Sequence, residues 1–179
     1  MKWILPLSLM AAPAFAQTCP PVTDHSQRAA EIVVALGEAR GQGEAQILTQ
    51  ELWGIWTDAP DEVAQAMLDQ GMARRAGFDF LGARNVLDRL VEYCPDYAEG
   101  YNQRAFANYL SSNFGAALAD LDRALEITPN HIAALSGKGL TLMGLGRNEE
   151  AQAALRAAVE MNPWLQERAL LDEPMPTDL

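Results

Sequence analysis

Basic residues are scarce in this chain of 179: 13 Lys and Arg stand against 24 Asp and Glu, a net charge of −11. A nucleic-acid binder needs a concentrated positive footprint to displace counterions, and none is present, so no nucleic acid is expected. Anionic membrane surfaces are disfavoured for the same reason. The acidity favours solubility and neutral or basic partners.

Histidine is scarcer still. His25 and His131 each fall near an expected helix start, with no cysteine or carboxylate at metal-ligand spacing on the same face. Both read as surface histidines, and no metal is expected. Asp120 and Asp122 lie two apart on a helix and so point to different faces, which excludes a paired general acid and base. An intramolecular pair between Arg104 and Asp120 is the expected use of the first. Gly137, Gly139, Gly144 and Gly146 have no preceding strand, which a phosphate loop requires. Ser26, Ser111, Ser112 and Ser136 lack a histidine–acid pair at any recognisable spacing. These absences argue against an enzyme, and no catalytic residue or cofactor is expected.

Long apolar runs are missing too. The stretch over residues 3–12 is too short to span a bilayer. With Lys2 before it and Ala14-Phe15-Ala16 after it, it reads as a secretory signal peptide of residues 1–16, leaving Gln17 as the mature N-terminus. The expected destination is the periplasm, reached through the inner membrane, with no membrane insertion after cleavage. Oxidising conditions there change the meaning of the only two cysteines, Cys19 and Cys94. A bridge between them would tie the N-terminal tail to the body; two free thiols, or a link to another chain, are the alternatives.

What the chain does have is a repeat. Residues 121–131, "LDRALEITPNH", end an apolar helical run at Pro129, and Pro95 and Pro163 end similar runs in the same register. A shift of thirty-four residues superposes 64–97, 98–131 and 132–165 without a gap. Small residues recur at Gly71, Ala105 and Gly139, and again at Ala83, Ala117 and Ala151. Leu87, Leu121 and Leu155 follow, then Leu90, Ala124 and Ala158. Each unit reads as two antiparallel helices: small residues let the pair approach, leucine fills the seam, and proline stops the second helix.

In unit length, small positions, leucine and terminal proline, these residues resemble the tetratricopeptide repeat family. The resemblance implies an all-α fold, an α-solenoid of three antiparallel helix pairs over residues 64–165. Departures are Met67 and Leu135 where the family often has an aromatic (Tyr101 fits), and Gln70, Arg104 and Lys138 in place of its usual leucine. Residues 17–63 are expected to supply a tail and a capping helical pair. Its first helix would start at Asp24 and run to about Arg40, and its second would end near Trp56. Trp53 and Trp56 read as cap core closing an end of the stack, with hot-spot anchors as the rival reading. A short final helix over 164–171 and a frayed tail would complete the chain within 166–179.

By the same resemblance, the first helices of the units would line a concave groove that contacts a protein or peptide partner. Its rows would be Leu68, Asn102 and Ser136; Met72, Phe106 and Leu140; and Arg75, Tyr109 and Met143. Glu99 would lie on the rim. This is a mostly apolar trough, which external segments or a segment of the chain itself, such as the C-terminal helix, could cover. It lacks the lysine-and-asparagine set of the chaperone-docking members. The expected function is therefore a non-catalytic protein-interaction scaffold. An assembly or maturation factor holding an exported client, and a constitutive subunit of an envelope complex, are the alternatives.

Overall fold

A computed structural model describes residues 18–172, and among these every regular element is helical. The three expected units are the helix pairs α3 (Glu62–Ala76) with α4 (Phe80–Tyr93), α5 (Ala98–Leu110) with α6 (Phe114–Ile127), and α7 (Ile132–Gly144) with α8 (Asn148–Met161). Each second helix stops two residues before its proline, because a residue preceding proline is pushed out of helical geometry. Side chains of Asp61 and Asp79 accept from the backbone N–H groups of Ala64 and Gly82 and so start α3 and α4.

Close approach within a pair follows from the small positions. A Cβ on Gly71 would sit 2.7 Å from Leu87, and one on Gly139 would sit 2.5 Å from Leu155, so only hydrogen fits at either site. The middle unit has Ala105 at this position, packed in one cluster with Leu121. The turns inside the units are also copies of one another. Phe78, Ser112 and Gly146 all take the left-handed conformation, and the next residue's N–H returns to a carbonyl five residues back, at Arg74, Asn108 and Leu142.

The N-terminal pair departs from expectation. Helix α1 (Ser26–Gly37) and α2 (Gln42–Trp56) do not extend the stack beyond the first unit. Ala29, Ile32, Leu36, Ala45 and Leu52 form one core cluster with Ile132 and Ala158 of the third unit, flanked by Leu135, Met161, Trp164 and Leu165. Helix α1 packs on α8, at the far end of the chain. Trp53 and Trp56 therefore face the interior of the stack rather than close its beginning.

Cys19 and Cys94 are disulfide-bonded, with their Cα atoms 5.2 Å apart. The segment leading into α1 is thereby stapled to the end of the first unit, while α1 itself reaches the third. The expected final helix is only a 3-10 turn, Gln166–Leu170, held by Gln152 through the Leu170 carbonyl. The residues expected to form the signal peptide, and the tail beyond 172, lie outside the described residues.

Candidate binding groove

The first helices of the units do share a concave side, but α2 lies across it. The result is a cavity of about 280 Å³ instead of an open trough. Its floor is Arg75 of α3, Asn102, Gln103, Phe106 and Tyr109 of α5, and Ser136, Leu140 and Thr141 of α7. Thr49, Leu52, Trp53 and Trp56 of α2 form the opposite wall, and Leu165 and Glu167 close the end beside α8.

Six of the nine residues expected in the groove therefore line one space: Arg75, Asn102, Phe106, Tyr109, Ser136 and Leu140. Three do not. Leu68 is fully buried in the core of the first unit with Leu87, Leu90 and Tyr97, and Met72 packs against that cluster. Met143 is exposed outside the cavity. The row containing Leu68 points between helices, so Asn102 and Ser136 are also nearly buried and offer only their edges. Trp53, Leu52, Gln103, Thr141 and Glu167 were not foreseen in the wall; the paired tryptophans were the one sign of it in the sequence.

Beneath the cavity runs a polar network that reverses two expectations. Glu99, expected on the rim, is 1% exposed, and so is His131, expected on the surface. The His131 Nδ1 atom accepts from the Ala134 N–H and caps α7, so Nε2 carries the proton and donates to Glu99 Oε2 at 2.9 Å. Asn102 Nδ2 donates to the same oxygen at 3.0 Å, and Gln103 Nε2 donates to Oε1 at 2.5 Å. The Trp56 ring stacks on the imidazole with centroids 4.2 Å apart. Next to it, the Tyr97 hydroxyl donates to the Trp56 carbonyl at 2.8 Å, and burial pushes that phenol well above its ordinary range. These contacts fix α2 over the groove.

Arg104 behaves as its position suggests. Its Nε and Nη2 atoms donate to Asp120 at 3.0 and 2.5 Å, and Nη1 donates to Asp88 at 2.9 Å. Asp122 instead turns to Lys138, 2.7 Å away. Arg75 differs. Its guanidinium lies 4.2 Å over the Phe106 ring, and burial pulls its pKa below the ordinary value while the charge of Glu99 opposes the shift. The buried Arg75 Nε, Gln103 Oε1 and Thr141 Oγ1 atoms have no hydrogen-bond partner.

Residues 109–164 match the tetratricopeptide repeat family model. A TPR repeat-containing protein of Rhizobium etli is 26% identical over 143 residues, covering 76% of this chain and 67% of the relative. Among solved structures, the Arabidopsis OM64 TPR domain superposes with a TM-score of 0.59 at 25% identity, over 61% of this chain and 90% of the domain. The first TPR of Spaghetti, bound to the HSP90 peptide SRMEEVD, gives a TM-score of 0.58 at 20% identity, over 60% and 85%.

Proposed function

Since the chain is built from tetratricopeptide repeats, we propose that it is an exported, non-catalytic scaffold that binds a segment of a partner protein in its concave groove. The observation that carries this reading is the cavity between α2, α5 and α7. It gathers Trp53, Trp56, Phe106, Tyr109 and Leu140 in one concave space, and large aromatics in a concave site are the usual anchors of protein recognition. Phe106 remains 43% exposed. Spaghetti holds a peptide on the same kind of frame, a likeness of fold only. Export is supported by Lys2, the apolar residues 3–12, Ala14-Phe15-Ala16, and the bond between Cys19 and Cys94.

The test is site-specific crosslinking in the producing cell. A photoreactive benzoylphenylalanine replacing Phe106 should give discrete adducts in the periplasmic fraction, and one replacing the exposed Arg89 of α4 should not. Adducts from position 89 alone would refute the groove as the site. Protein recovered from the cytoplasm with Met1 intact would refute export.

A further inference from the structure

The groove is too small for a helix, and a single cation lines it. A cavity of about 280 Å³ admits one large side chain and its flanking backbone. Most of its wall is apolar, from Leu52, Trp53, Trp56 and Phe106. Arg75 Nε, Gln103 Oε1 and Thr141 Oγ1 lie beneath that surface, out of reach of solvent and without hydrogen-bond partners.

Arg75 is the cation of the lining and Glu167, at the end beside α8, its carboxylate. In this acidic chain, Arg28, Arg74, Arg104, Arg123 and Arg147 each sit against a carboxylate. Arg75 sits instead on the Phe106 ring, and no ion pair joins it to any carboxylate among the described residues. Glu99, the nearest source of negative field, has both oxygens engaged by His131, Asn102 and Gln103. A half-buried guanidinium placed over an aromatic ring, with its fork free, is arranged to receive a carboxylate.

We infer that the groove selects an internal peptide segment in which a large apolar residue lies beside an aspartate or glutamate. The apolar side chain enters between the α2 tryptophans and Phe106, and the carboxylate pairs with Arg75. The ligand is thus acidic despite the acidity of the chain as a whole. This selectivity rests on the groove being the partner site.

The test uses a displayed library of random heptapeptides flanked on both sides by fixed sequence, so that no terminal carboxylate is offered. Panning against the protein should enrich segments with a large apolar residue next to an acid. For one enriched synthetic peptide, Arg75→Gln should weaken binding about tenfold, and replacing the peptide's acid by its amide should do the same. Combined, the two changes should weaken binding no more than either alone, as expected for a direct pair. Binding lost in Phe106→Ala but indifferent to Arg75→Gln and to the peptide's acid would overturn the charge selection and leave the groove standing. Peptides indifferent to both substitutions would overturn the groove as well. Enrichment that appears only after removal of residues 173–179 would overturn the inference in favour of the chain's own C-terminal residues as occupant.

Discussion

Truncating Leu52 tests where the N-terminal pair docks. Leu52 is 1% exposed and shares a core cluster with Ile132 of α7, itself 3% exposed. Cutting either to alanine should cost about 2–5 kcal/mol through lost burial and the cavity left behind. Because the two lie in one cluster, the second truncation enlarges a space the first has already opened. The double variant Leu52→Ala with Ile132→Ala should therefore cost less than the sum of the singles, by about 0.5–3 kcal/mol. Leu87, fully buried in the first unit and in a different cluster, is the control. Leu52→Ala with Leu87→Ala should be additive to within about 0.5 kcal/mol. Urea unfolding followed by far-ultraviolet circular dichroism measures each corner of both cycles. If a double variant is too unstable to measure, Ile132→Val, at about 0.5–1.5 kcal/mol, replaces the harsher change. Coupling of Leu52 to Leu87, with additivity toward Ile132, would mean that the pair packs on the first unit and that the closed groove is wrong.

Removing the Cys19–Cys94 bond by paired serine substitution opens a loop of 75 residues, worth about 4.5 kcal/mol in the chain-entropy model; a melting temperature unchanged by reduction would contradict it. Glu99→Ala should cost about 3–5 kcal/mol, since it strands His131, Asn102 and Gln103 away from water, and a loss under about 1 kcal/mol in urea titration would return Glu99 to the rim. Acid should weaken the fold through the helix caps. Hydrogen bonds from the Ala64 and Gly82 backbones hold the Asp61 and Asp79 carboxyls below their ordinary value of 3.8. Their stabilisation is full above that value and is lost as pH falls through the lower folded-state value, so Asp61→Asn with Asp79→Asn should flatten the acid limb of a stability–pH curve. An unchanged acid limb would assign it to other carboxylates.

The repeat was legible because it rests on local rules. A thirty-four-residue shift aligns prolines that stop helices and small residues that meet leucines, and Gly71 with Leu87 and Gly139 with Leu155 realise that seam. The groove was half legible. Helical periodicity gives a face, which found Phe106 and Arg75, but it cannot separate the centre of that face from an edge turned toward a neighbour, where Leu68 is buried. The lid was legible only in the paired tryptophans, Trp53 and Trp56. Ile32, Leu36 and Leu52 state that something must cover them without stating what. His131 was misjudged for the same reason: the ring that buries it, Trp56, is 75 positions away in sequence.

The strap that α1 and α2 form between the first and third units has a consequence for how this protein can change over time. An open stack of helix pairs behaves as a row of neighbours, each touching only the next, so it can fray from its ends and lengthen by duplication. Here the row is braced like a bow by its string. One end of the brace is anchored by Cys94, and the other seats on Ile132 and Ala158. A fourth pair inserted anywhere between them would lengthen the bow but not the string, pulling the seat out of reach. The number of units is therefore locked by the span of the brace. Variation in this lineage should fall on turns such as the one at Phe78, where a loop can grow without moving either anchor.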